Sequence, residues 1–166
     1  MCWSPSGMLL GGGDLPGSSA HERVRVVEDH PSNEGRLRVR KVWPDERGTV
    51  VKTLFILNDP PYGTERSYNA LRLAGALAKR GGDVLRVFLL GDAAACAKSG
   101  HSVPQGFYNI NRMLQFIVQK QVPVGVCGTC MDARGIEAAD LIDGAKRGTL
   151  EELADWTVWA EKVVVF

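Results

Sequence analysis

Residues 122–135 read Val-Pro-Val-Gly-Val-Cys-Gly-Thr-Cys-Met-Asp-Ala-Arg-Gly. A short apolar run that ends in glycine and a charged loop predicts a buried strand followed by a turn. The stretch before it has a different period. Ile110, Met113, Leu114, Ile117 and Val118 fall at the i, i+3, i+4, i+7, i+8 spacing of one helical stripe, with Asn109 placed as N-cap. Helix and strand therefore follow each other directly, and the same alternation extends outward. Residues 52–57 read as a strand that ends in the turn-rich segment 58–63. A helix follows, with Ala70, Leu73, Ala74, Leu77 and Ala78 on one stripe and Gly81-Gly82 as its stop. Residues 83–90 form the second strand, and Arg86 in its middle predicts a face or edge at water. Residues 91–108 are rich in glycine and alanine, with one helical turn expected over 93–98. Residues 139–142 read as a weak fourth strand. Thr149 and Glu152 have the spacing of a capping box that opens the last helix, and 163–166 reads as a closing strand.

Near-continuous apolar strands alternating with helices predict an α/β fold, a parallel sheet of about five strands with helices on both faces. Right-handed crossovers place every strand-to-helix loop on one rim, where such folds bind ligands. Two loops qualify, 58–63 and 127–135, so the pair Cys127 and Cys130 sits where this architecture places chemistry.

The chain of 166 residues is 45% hydrophobic and 23% charged, with a net charge of +1. It has no block of basic residues that would favour nucleic acid or an acidic membrane, and no apolar run of about 20 residues. Four cysteines are too few for a disulfide framework. A Cys-x-x-Cys in a chain read as cytoplasmic points to redox, sulfur or metal chemistry. Residues 1–49 differ from the rest. They hold Pro5, Pro16, Pro31 and Pro44 of the eight prolines and the run Gly11-Gly12-Gly13. Only 36–42 alternates, as one exposed strand. This segment is expected to be a disordered extension, or an over-extension of the gene ahead of Val50 or Val51, with the domain spanning 50–166. A chain begun near Val50 is then expected to melt at the same temperature as the full chain.

A thiolate is the reactive form of cysteine, so reactivity needs a lowered pKa. Cys127 directly follows the strand, where free N–H groups favour an anion, and Arg134 would add positive charge. Gly125 and Gly128 allow close backbone approach. Asp132, near Cys130, would oppose ionisation there and leave Cys127 the more acidic thiol. Gly128 and Thr129 would offer N–H groups to a sulfur anion. Tyr62 is expected as a wall of the thiol pocket, and Asp59, Tyr62 and Asn109 as a small-ligand surface. The alternative is two inert core cysteines.

Several stretches together resemble the DsrE/DsrF-like family, in its small homo-oligomeric branch. They are Pro61-Tyr62-Gly63, Asn69-Ala-Leu-Arg-Leu-Ala74, Tyr108-Asn-Ile110, Cys127-Gly-Thr-Cys130 with Arg134-Gly135, Leu141-Ile-Asp-Gly144, Gly148-Thr149 and Trp156. The resemblance covers essentially 51–166. It implies a three-layer, flavodoxin-like parallel sheet and assembly into homotrimers or homohexamers. It also implies persulfide carriage on the cysteine at Cys127, followed by the matching Arg134 and Gly135, with separate sulfur donor and acceptor proteins. Cys130 departs from the family's single-cysteine pattern and admits a disulfide step.

The reading carried forward is a sulfur-transfer protein using Cys127, with Cys130 as auxiliary thiol and no cofactor. Its rivals are a dithiol–disulfide redox protein and a non-catalytic oligomeric module. A zinc set of Cys96, His101, Cys127 and Cys130 has one well-spaced half and one loose half, and no metal is assigned. No phosphate-cradling glycine loop follows a strand, so no nucleotide is expected. The last helix has little polar face. Leu150, Leu153, Ala154, Trp156, Val158, Trp159 and Ala160 predict burial against another subunit.

Overall fold

A computed structural model describes residues 50–166 and, outside them, two short strands, β1 (Val24–Arg25) and β2 (Arg40–Lys41), paired antiparallel. The disorder expected for 1–49 otherwise lies outside the described residues. The central sheet comprises β3 (Lys52–Leu57), β4 (Val84–Leu89), β5 (Val124–Cys127), β6 (Ala145–Gly148) and β7 (Lys162–Val165), in the order β6-β5-β4-β3-β7. Every pairing is parallel. The expected α/β fold with about five parallel strands is therefore present. Its order differs from the 2-1-3-4-5 of flavodoxin itself.

Register assigns the faces. On one face Phe55, Val87, Val126 and Val164 meet the larger core, with Leu71, Ala74, Ile110, Leu114 and Ile117. These come from α1 (Arg66–Arg80) and α2 (Ile110–Gln119). The other face is covered by α4 (Leu150–Trp159), whose Leu153 and Trp156 pack with Leu54, Phe88 and Cys127. Phe88 meets Trp156 edge to face with centroids 5.8 Å apart. Such a pair adds about 1 kcal/mol beyond the area it buries.

The chain differs from the sequence expectation at several places, and on α4 Leu153 and Trp156, expected against another subunit, are buried in this chain's own core. On α1 the buried stripe is Ser67, Ala70, Leu71 and Ala74, while Leu73 is 43% exposed. The stripe keeps Ala70 and Ala74 and is rotated by about 40°, so that Leu71 takes the core position in place of Leu73, while Ser67 donates to the Asp59 carbonyl. Residues 138–140 form a 3-10 turn (Ala138–Asp140), and the fourth sheet strand is Ala145–Gly148. Arg86 does not point to water. It lies on the α4 face of central strand β4 with its guanidinium 4.0 Å from the Trp159 ring centroid and 5.1 Å from that of Trp156. Cation–π contact supplies the partner a half-buried arginine needs. The N-caps agree with the sequence: Asn109 accepts from the Arg112 N–H at 3.1 Å and Thr149 from the Glu152 N–H at 3.1 Å. Among the described residues no helix is long and apolar enough to cross a membrane.

Candidate functional site at the end of strand β5

The crossover after β5 runs on the α1/α2 face. It contains α3 (Gly128–Asp132) and then Met131, Ile136, Leu141 and Ile142 of the larger core. The crossover after β6 runs through α4 on the opposite face. The connections from these two neighbouring strands therefore part to opposite sides, and their carboxyl ends form the switch point of the sheet, the place where such folds bind ligands. Cys127, the last residue of β5, stands at that point, opposite Gly148 of β6 and 9% exposed.

Cys127 is the N-cap of α3, and its Sγ accepts the Cys130 N–H at 3.3 Å. The Thr129 hydroxyl lies 3.3 Å from the same sulfur. Partial burial raises the Cys127 thiol. Hydrogen bonds from the Cys130 thiol, the Thr129 hydroxyl and the N–H groups of residues 130 and 129 outweigh it, so the thiol lies below its ordinary value. Cys130 goes the other way. Burial, its bond to Cys127 and the charge of a Cys127 thiolate hold it up, against the Gly91 N–H that reaches its Sγ at 3.2 Å. Gly91 opens the 3-10 segment Gly91–Ala97 with φ +58°, the left-handed conformation that glycine tolerates, and so turns its N–H to the sulfur.

The contacts that order the two thiols are not those the sequence suggested. Asp132 does not oppose Cys130. It accepts two bonds from Arg147, at 2.8 and 2.7 Å. Arg134 binds Asp92 through Nε and Nη2 and donates from Nη1 to the Cys130 carbonyl at 2.9 Å, so its charge is shared with Asp92. Arg147 is also near the pair: its guanidinium is held protonated mainly by Asp132 and, least of the causes, by the charge of Cys127, whereas the Cys127 thiol itself is lowered by Cys130 and Thr129. Spacing gave no signal for Arg147, because only the pairing of β6 with β5 brings it near. Gly125 also has a different role. A Cβ there would lie 2.8 Å from the Phe88 ring, so this glycine makes room for the core and not for the sulfur.

The remaining predicted residues bond elsewhere, none of them to a sulfur of the pair. Asp59 accepts from Thr64 at 2.8 Å and faces Arg66 at 3.6 Å. Tyr62 bonds to His101 Nδ1 at 3.2 Å, accepts from the Ile110 N–H at 3.4 Å and packs on Tyr108. Asn109 caps α2 and donates to the His101 carbonyl at 3.0 Å. Gly63 and Gly135 take φ +97° and +59° in turns. Gly128 starts α3 against Arg147. The four zinc candidates are not gathered. Cys96 is sealed in the core, its thiol pushed up to about 12 by burial. The His101 ring is engaged by Tyr62 and the Ala95 carbonyl, and among the described residues no three His, Cys, Asp or Glu side chains are grouped to hold a metal. Sequence reasoning also missed Asn111. It is buried and donates to the carbonyls of Cys96 and Lys98 while accepting the His101 N–H, which pins the loop ahead of α2.

A parallel three-layer α/β domain with a dithiol at the carboxyl end of an inner strand is the class that fold and site define. The chain belongs to the DsrE/DsrF-like family, whose profile matches residues 51–166. It is 45% identical over 116 residues to protein YchN of Escherichia coli K12, covering 69% of this chain and 98% of that protein. It is 35% identical over 116 residues to the uncharacterized protein MJ0989 of Methanocaldococcus jannaschii, covering 70% of this chain and all of that one. The crystal structure of the Escherichia coli YchN protein superposes with a TM-score of 0.67 at 44% identity, over 70% of this chain and 100% of that chain.

Proposed function

We propose that the protein accepts sulfane sulfur on Cys127 and carries it as a persulfide. The observation that carries this reading is the opposite treatment of two thiols three residues apart. Cys127 gathers hydrogen-bond donors that favour its anion, while Cys130 is held protonated beside it. The Cys127 thiolate attacks the outer sulfur of a donor persulfide. A Cys127 S–S bond forms, the donor's S–S bond breaks, and the donor leaves as a thiolate with the bonding pair. An acceptor thiolate reverses the sequence on the outer sulfur. Cys130 offers a second exit: its thiolate attacks the Cys127 sulfur, expels hydrosulfide and leaves a Cys127–Cys130 disulfide, which a dithiol reductant reopens. The test is sulfur uptake by wild type and by Cys127→Ser, read by mass. A dithiol–disulfide protein is the second reading, favoured by the Cys130-to-Cys127 hydrogen bond. Retention of the sulfur adduct in Cys130→Ser separates the two.

Self-association belongs to the same reading. On α4, Leu150 is 72% exposed and Val158 is 89% exposed, and both share a stripe with Ala154. Beside them Val163 and Val165 lie on the same side of edge strand β7, 43% and 58% exposed. Exposed apolar side chains on this helix and on the same face of an edge strand suit contact with a second copy. Light scattering is expected to give a mass that is a multiple of the 18.1 kDa chain, a trimer or hexamer as the family resemblance implies. Val158→Asp is expected to lower that mass without loss of helical circular dichroism. A single-chain mass for the wild type at micromolar concentration would contradict the assembly.

A further inference from the structure

Arg147 lies in β6 opposite Val126, one residue before the candidate sulfur acceptor. Its guanidinium is packed against Gly128, where a Cβ would stand 2.9 Å from Cζ and Nε. The fork of two bonds to Asp132 fixes the plane of the group. The last residue of α3 thus holds a cation over the first residue of α3, immediately beside the Cys127 cap. Like Arg147, which is paired with Asp132, the other charges near the sulfur have partners of their own. Arg134 is bound to Asp92. From α4, the Glu152 carboxylate lies against Gly148, the ladder partner of Cys127, and interacts with Arg86, which is stacked on the two tryptophans. Cys130 is the remaining titratable neighbour.

We infer that Arg147 is a positioning residue for Cys127: parked on Gly128 by Asp132, it supplies the counter-charge that favours a thiolate, and then a persulfide anion, at that sulfur. This deepens the sulfur-transfer reading and rests on it for its purpose. The absent side chain at Gly128 is part of the device, because a methyl group there would occupy the space of the guanidinium. Arginine is a flexible side chain, so Gly128→Ala moves it aside without breaking the strand.

The test is the pH profile of Cys127 alkylation by iodoacetamide, a neutral probe, followed by peptide mapping of the full chain. In Arg147→Gln the profile is expected to shift to higher pH. The rate at pH 7 falls about threefold or more, and the plateau rate at high pH is unchanged. Arg147→Lys recovers part of the loss. Gly128→Ala reproduces the shift, and the double variant is no slower than Arg147→Gln, as two changes acting through one contact require. A profile for Arg147→Gln that superimposes on wild type would overturn the inference. So would a loss equal at every pH, which reports access and not charge, or a double variant slower than either single one. No sulfur donor enters the assay. A failure here leaves sulfur uptake standing, and a failure of sulfur uptake leaves this contact standing.

Discussion

At pH 7 iodoacetamide is expected to alkylate Cys127 first, Cys130 more slowly and Cys96 not at all until the protein unfolds. Cys127 precedes Cys130 by thiolate supply and in spite of access, since Cys127 is the more buried of the two; Cys96 comes last on both counts. Cys127 lies below the ordinary thiol value, so its rate rises with pH and levels off earlier than that of a free cysteine. Cys130 lies above it, and part of that rise comes from Cys127 itself. Its intrinsic rate is therefore read in Cys127→Ser, where the charge of the neighbour is gone and Cys130 is expected to speed up. Cys96 is 0% exposed and pushed up to about 12. At pH 7 that leaves roughly one thiolate in 10⁵ molecules, within a closed core. Cys2 lies outside the described residues and is separated by peptide mapping. Cys130 labelled ahead of Cys127 in the wild type would contradict the ordering.

Gly144→Ala is expected to destabilise the fold by about 2–4 kcal/mol. Gly144 precedes β6 in a turn closed by the Ala145 N–H to the Ile142 carbonyl at 3.1 Å, and it takes φ +87°. That region is open to glycine and strained for any other residue. Space is also lacking: a Cβ would fall 2.2 Å from Val118 Cγ1 on α2. The two penalties separate in a double variant. Val118→Ala in the Gly144→Ala background removes the overlap but not the backbone strain, so chemical denaturation is expected to show partial rescue. Full rescue, or no loss in Gly144→Ala alone, would contradict the account. Because this turn launches the strand that carries Arg147 and Gly148, the variant is also expected to slow Cys127 alkylation at temperatures where it remains folded.

The parallel α/β fold was legible because its strands announce themselves. Residues 52–57 and 84–89 are apolar runs, and α2 has both a clean stripe and an asparagine cap. The position of the dithiol was legible for the same reason, since Cys127 directly follows such a run. Strand β6 was not. Ala145-Lys-Arg-Gly has no apolar period, lies at the sheet edge with Lys146 and Arg147 exposed, and is a strand only through its backbone pairing with β5. Without β6 the sequence could not offer Arg147, and it assigned the positive charge to Arg134, nearer in the chain but tied to Asp92. Tyr62, Asp59 and Asn109 were read as pocket residues because they sit in loops at the correct rim. Their side chains are used instead to hold those loops: Tyr62 on His101, Asp59 on Thr64, Asn109 as a helix cap. Side-chain hydrogen bonding within loops has no period, so no pattern in the sequence reveals it. On α1 the spacing fitted two overlapping stripes, and contact with the sheet selected the one that contains Leu71.

Cys127 is proposed as the residue whose sulfur receives the transferred sulfur atom. Intact mass measured after exposure to a persulfide donor tests it most directly, in a Cys2→Ser background so that only the described cysteines report. The expected result is a gain of one sulfur atom in this protein, no gain when Cys127→Ser is added, and a longer-lived gain when Cys130→Ser is added, because the thiol that expels the outer sulfur is then missing. Sulfur gained in Cys127→Ser and lost in Cys130→Ser, or no gain in either reduced protein, would contradict it.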